Sequence, residues 1–247
     1  MTDQRVEQAI RSGLPEAIGP AAHYDVTVMG ARRQDGAGLI EMDRVHVVGL
    51  RVRRNGAPVL DRVEADLSGV QVDRKQNTLT ALAGADVRIS VRATDIAAFL
   101  QERGVLEAVK VTFHESDVIT ITAHPVVAGY SLPGGARVLL RGYLIPEASQ
   151  LRLNITDLRA AGFPVGTIPT QIVERLINPL VDLSALPVPT EVTSARVVGD
   201  SVIITARGGQ SQVQPARSSL LFRCSLCNHT DVKGIISVAT PHRPSLQ

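Results

Sequence analysis

Two stretches of the chain nearly repeat each other: EAVKVTFHESDVITITAHP, from Glu107 to Pro125, and TEVTSARVVGDSVIITARG, from Thr190 to Gly208. Aligned end to end, they place Asp117 over Asp200, Ile121 over Ile204, Thr122 over Thr205 and Ala123 over Ala206. Each alternates apolar and polar residues on either side of a polar turn, the pattern of a β-hairpin with one wet face. An amphipathic helix pattern precedes each copy, and a strand pattern precedes each helix: ADVRISV (85–91) in the first, QLRLNIT (150–156) in the second. The repeated unit therefore reads as strand, helix, hairpin, with a longer linker around the second helix.

The same period of two governs most of the chain. Val45, Val47, Leu50 and Val52 bracket Gly49, and Val63, Ala65 and Leu67 alternate with Glu64 and Asp66. Turn-forming clusters fall between such segments, among them QDGAG (34–38), RRNGAP (53–58), RKQN (74–77) and SLPGG (131–135). Short strands at this spacing predict antiparallel hairpins rather than parallel βαβ units. Three segments break the rhythm. Residues 3–12 predict a short polar helix ahead of Gly13 and Pro15. Residues 95–103 predict a helix capped by Thr94 and stopped by Gly104, with Ile96, Phe99 and Leu100 on one face. Residues 169–181 predict a third, opened by Pro169 and ended or kinked by Pro179, with Ile172, Val173, Leu176, Ile177 and Leu180 in a wider stripe. The expected fold is α+β and mostly antiparallel: a highly curved sheet of hairpins wrapped around two amphipathic helices, with a pseudo-repeat. One domain is expected over 1–209. The polar QSQVQPARSS and the aperiodic residues after it make 210–247 an appended tail, poorly ordered or loosely packed.

Composition narrows the function classes. Of 247 residues, 44% are hydrophobic but only 3% aromatic, with no Trp, so the core is aliphatic. The net charge is +2 and basic and acidic residues are interleaved, which describes a solvated surface and not a nucleic-acid stripe. Scarce aromatics also remove the stacking platforms that single strands need. No nucleic-acid partner is expected. The opening MTDQRVEQAIRSGLPEAIG lacks the apolar centre of a secretory signal, and no run reaches the roughly 18 apolar residues of a membrane span. As written, the chain reads as a soluble, cytoplasmic protein.

Catalytic motifs are missing. GYSLPG places Ser131 after Gly129, but Pro133 stands where a nucleophile elbow needs glycine, so a hairpin loop is the better reading. His114, Glu115 and Asp117 sit in a turn, where polar residues are expected on other grounds. Cys224, Cys227, His229 and His242 form a C-x2-C-x-H with an irregular second half, weak for zinc. No phosphate loop or haem motif is found. Neither enzymatic activity nor a metal or cofactor is expected.

The passage RLINPLVDLSALPVPTEVTSARVVGDSVIITARG (175–208) resembles the C-terminal signature of the LmeA-like phospholipid-binding family. Its marks are the LINPL-type helix end, the LP-x-P exit and the closing D-x-x-IIT-A strand. LDRVEADLSGVQVD (60–73) and ADVRISVRATDIAAFL (85–100) are similar to the middle of that family, so the resemblance spans about residues 1–209. It implies a bacterial cell-envelope protein that binds phospholipid or a membrane surface, with a curved antiparallel sheet around helices like the tubular lipid-binding folds. Two features depart from it: the missing signal peptide and the cysteine-containing tail. Arg32, Arg33, Arg51, Arg53 and Arg54 are candidates for phosphate contact, with a scattered surface as the plainer account.

The helical stripes then carry two readings. In one, Ile96, Phe99, Leu100, Ile172, Val173, Leu176, Ile177 and Leu180 line a groove for acyl chains between sheet and helices. In the other they are core, and the protein is a structural or interaction module with a filled interior.

Overall fold

The computed structural model describes residues 3–209 apart from 34–37, 74–77, 115–116, 128–129, 132–136 and 185; the tail from 210 and its cysteines lie outside the described residues. The chain opens with α1 (Asp3–Ala17), β1 (His23–Met29), β2 (Arg32–Arg33), β3 (Leu39–Val52), β4 (Leu60–Asp73), β5 (Thr78–Ala81) and β6 (Gly84–Arg92). Then come α2 (Ala93–Glu102), β7 (Leu106–Phe113), β8 (Val118–Val127), β9 (Tyr130–Ser131), β10 (Val138–Glu147) and β11 (Gln150–Ala160). It closes with β12 (Phe163–Pro164), α3 (Thr167–Ile177), β13 (Val181–Asp182), β14 (Glu191–Val198) and β15 (Ser201–Gly208). The class is α+β and the described pairings are antiparallel, as the alternation requires.

The strands form two sheets, not one. The first runs β1-β3-β4-β6-β15-β14, with β2 and β5 at its margin; the second runs β12-β11-β10-β8-β7, with β9 and β13 alongside. The repeated hairpins explain this order. The first hairpin, β7–β8, follows β6 in sequence but joins the second sheet through β8 and β10. The second, β14–β15, follows β11 but joins the first sheet through β15 and β6. Each strand–helix–hairpin unit thus hands its hairpin to the sheet of the other. The repeated apolar residues do equivalent work: Ile121 pairs with Val111 and Leu140, Ile204 with Ala195 and Ile89, and both are fully buried. Ala123 and Ala206 are buried as well. Both hairpins carry a register shift in their first strand, between Glu107 and Lys110 and between Val192 and Ser194.

The turns differ, and the difference ties the units together. The second hairpin turns on Gly199 at φ 63°, a left-handed conformation glycine adopts without steric cost. In the first, Asp117 takes the left-handed position, at φ 57°. Its Oδ1 accepts a hydrogen bond of 2.8 Å from the Val197 N–H, on the edge strand β14. In return, the Asp200 carbonyl accepts from the Ala93 N–H at 2.9 Å and so covers the start of α2. That contact replaces the expected cap: the helix begins two residues earlier than the sequence suggests, Arg92 holds the cap position without a side-chain bond, and Thr94 lies inside the first turn.

The helices also close sheet edges. On β1, the Val28 N–H donates to Glu7 Oε1 (3.0 Å) and the Ala31 N–H beyond it to Asp3 Oδ1 (3.3 Å), both on α1. On β11, the Ile155 N–H donates to Glu174 Oε1 (2.7 Å). The Leu153 N–H donates to Asn178 Oδ1 (2.7 Å), and Asn178 Nδ2 returns a bond to the Leu153 carbonyl (2.8 Å). Unpaired strand edges invite association with other chains, and these side chains occupy them. The α1 helix runs to Ala17, past the expected stop, because Ile10 and Leu14 are buried against the first sheet and outweigh the loss at Pro15 of one backbone donor. One continuous buried cluster, aliphatic but for Tyr24 and Met42, runs from Val6 through both sheets to Ala206.

Asp117→Ala is expected to lower stability by about 1–3 kcal/mol, because it strands the Val197 N–H and places alanine at positive φ. Asp117→Asn keeps an acceptor and tolerates that backbone, so its loss should be less than half as large. Denaturant titration of the two variants checks the pair. Asn178→Ala removes both partners of Leu153 at a covered edge and should cost about 2–3 kcal/mol. The companion readout is faster aggregation on incubation below the transition temperature.

Candidate lipid-binding site

An aliphatic cavity of about 70 Å³ lies between α1 and the inner face of the first sheet. On the helix side it is lined by Ile10, Leu14 and, just past the helix, Ile18. Val6 continues the same four-residue spacing, and Val6, Ile10 and Leu14 are all buried. The sheet side consists of Val45 and Val47 from β3, Val63, Ala65, Leu67 and Val70 from β4, Leu79 from β5 and Val87 from β6. These are the inward members of the alternating runs, so the wall is a direct product of strand periodicity.

The third wall is the irregular segment Leu186, Pro187, Val188 and Thr190, which links β13 to β14 and bends at residues 186–188. Its prolines lack the N–H that a strand ladder would use and keep this strap out of a sheet. It lies close on β15: a Cβ on Gly208 would stand 2.9 Å from the Pro189 carbonyl oxygen and 3.2 Å from Val188 Cγ1. The Val192 N–H beyond the strap donates to the Ala148 carbonyl (2.7 Å), and the Leu183 N–H before it to the Ser149 carbonyl (2.9 Å). The strap is therefore pinned on both sides.

Both ends of α1 are also held. At its start, Asp3 and Glu7 bind the margin of β1, as above. After its last turn, the Tyr24 hydroxyl donates to the Gly19 carbonyl (2.6 Å), and the Arg53 N–H to the Pro20 carbonyl (2.8 Å). Burial pushes the Tyr24 phenol up to about 12, against the opposing pull of Arg54. Burial likewise lowers the pKa of the Arg54 guanidinium, while Asp182 and Tyr24 favour its charge.

The eight residues expected to line a groove lie elsewhere. Ile96 and Leu100 on α2, Ile177 at the end of α3 and Leu180 just beyond it are buried in the continuous core, and Phe99 on α2 is buried as well. Val173 is half-buried, and Ile172 and Leu176 point to solvent, 54% and 47% exposed. The structure brings the two helices together through Arg103, whose guanidinium stacks 4.4 Å from the Phe99 ring centroid. The same group donates to the Leu176 carbonyl (2.9 Å) and the Pro179 carbonyl (3.1 Å). None of the eight lines the cavity beneath α1. The α1 residues went unread because polar residues dominate 3–12; the signal was the i, i+4, i+8, i+12 series Val6, Ile10, Leu14, Ile18.

Several of the polar candidates are engaged in structure. Among the five arginines, Arg32 pairs with Asp43 (2.6 Å), and Arg51 holds the buried Asp95 through two bonds of 2.6 and 2.9 Å. Arg33 and Arg53 are exposed. His114 Nε2 lies 3.0 Å from Thr120 Oγ1, Asp117 is taken by Val197, and Glu115 falls outside the described residues. Ser131 is a backbone partner of Val126 in β9, while Gly129 and Pro133 are outside the described residues. Among the described residues no three His, Cys, Asp or Glu side chains cluster as metal ligands, and no helix is long and apolar enough to cross a membrane. Three buried side-chain polar atoms have no partner there: Arg11 Nε, Arg54 Nη1 and Thr190 Oγ1. Only the last lines the aliphatic cavity.

No curated protein and no solved structure matches this chain. The model of one family, described as LmeA-like phospholipid-binding, matches residues 1–207. That span takes in α1, both sheets, the strap and all but the last residue of β15, and with it the whole cavity. The chain belongs to the LmeA-like phospholipid-binding family.

Proposed function

We propose that the protein is a non-enzymatic phospholipid carrier of the cell envelope that takes an acyl chain into the cavity between α1, the first sheet and the strap. The observation behind this reading is the cavity's lining, which is aliphatic at every position except Thr190. A chain of about 16 carbons represents roughly 12 kcal/mol of hydrophobic transfer from water, at about 0.8 kcal/mol per methylene. That chain is already buried in a bilayer, so moving it into an aliphatic cavity is close to neutral. Such a site suits reversible pickup and release.

In the state described, the cavity is less than half of the roughly 150 Å³ that admits benzene, so loading requires α1 or the strap to move outward. The α2–α3 stripe has a share in this reading. Ile172 and Leu176, one helical turn apart on α3 beside the half-buried Val173, are the members free to touch a membrane surface while lipid is exchanged. Ile96, Phe99, Leu100, Ile177 and Leu180 are buried and take no part in that contact.

Filling the cavity separates this function from stability. Ala65→Leu adds apolar volume at a lining position and is expected to cut uptake of fluorescent phospholipid about tenfold or more, with an unchanged or higher melting temperature. Unaltered uptake would move the lipid site away from α1. Native mass spectrometry of the unmodified protein should show bound phospholipid; none bound, together with no uptake, would favour a filled structural module. Ile172→Ser with Leu176→Ser is expected to slow transfer from vesicles without lowering stability.

A further inference from the structure

Thr190 is about nine-tenths buried, and its hydroxyl has no hydrogen-bond partner. A buried hydroxyl left unpaired costs about 1–3 kcal/mol, which no packing argument recovers at this position, since valine has nearly the same shape. Thr190 also occupies a boundary. On one side it lines the aliphatic cavity; on the other it lines an open pit of about 380 Å³ with Ala148, Ser149, Ser184, Pro189 and Glu191. Ser149, Ser184 and Glu191 give the pit polar side chains that the cavity lacks, and Thr190 lines both. A molecule lying across that boundary would have an apolar part inside, a polar part outside and an oxygen-rich junction at Thr190.

We propose that Thr190 is the polar subsite of the lipid cavity, its hydroxyl donating a hydrogen bond to the acyl carbonyl oxygen where the chain meets its head. The chain then lies under α1 and the head in the pit, within reach of the Ser149 and Ser184 side chains. This rests on the cavity reading above and adds an assignment of orientation: head toward the strap, chain toward α1. An acyl carbonyl is carried by a glycerophospholipid ester and by a free fatty acid, and the hydroxyl recognises what the two share.

The test uses the full chain, its Thr190→Val and Thr190→Ser variants, and three probes: vesicles of dioleoyl phosphatidylcholine, oleate, and hexadecylpyrene, which has a chain but no carbonyl. Thr190→Val is expected to weaken binding of one or both carbonyl-bearing probes about fivefold, to leave hexadecylpyrene unchanged, and to melt at the same or a higher temperature. Whichever of phosphatidylcholine and oleate loses affinity identifies the source of the carbonyl. Thr190→Ser, which keeps the hydroxyl, should bind within about twofold of the unmodified protein. Affinity of the valine variant for both carbonyl probes unchanged from that of the unmodified protein would overturn the assignment while leaving the cavity reading intact. Loss of hexadecylpyrene to the same degree, or a valine variant that fails to fold, would make Thr190 a structural residue and overturn it too. A full chain that takes up none of the three probes would remove the cavity reading and this assignment together.

Discussion

Open β-sheets carry rows of unpaired N–H and C=O groups along their outer strands, and two open sheets in one chain double that requirement. The architecture is a set of answers to it. Exchanging hairpins between the two units gives β6 a partner in β15 and gives β10, the neighbour of β11, a partner in β8. The tips of the exchanged hairpins then bind across the units, Asp117 to Val197 and Asp200 to Ala93. Where no strand remains to be added, carboxylate and amide side chains from α1 and α3 take the place of one.

This explains why the helices lie where they do. Glu7 and Glu174 hold their helices against sheet margins. On α3, the far side presents Ile172 and Leu176 to solvent. On α1, the apolar side turns inward over strands whose lining positions are mostly valine, with a single alanine at Ala65. Short side chains on the sheet, facing well-spaced residues on a helix, leave a gap that longer ones would fill. The composition read at the outset, aliphatic with almost no aromatics, is the condition for such a gap.

Much of this was legible in the sequence. The antiparallel hairpins followed from strict alternation, the end of α2 from Gly104, and the family from the passage between Arg175 and Gly208. Three things were not. The division into two sheets depends on which strand each hairpin joins, and identical alternation in β6, β8, β10 and β15 makes the choices equivalent by pattern. The start of α2 is satisfied by Asp200, a partner far along the chain, so local capping rules pointed to Thr94. The sequence places a groove beneath the two helices with the most apolar stripes, yet the α2 stripe packs into the interior and the α3 stripe divides between core and solvent. The weaker, polar-flanked stripe of α1 is the one that lies over space.

The exchanged topology also has a cost in time. β6 is complete at Arg92, but its partner β15 does not begin until Ser201, so roughly a hundred residues separate the two. At about 5–20 residues per second, a ribosome needs on the order of 5–20 s to make that interval. Throughout it the first sheet presents a bare, aliphatic outer strand. Pairings so distant along the chain are also the slowest to form, because loop closure must precede any gain from contact. The arrangement that leaves the finished protein with covered margins therefore leaves the growing chain with an exposed one, and makes its synthesis the moment at which it most needs protection.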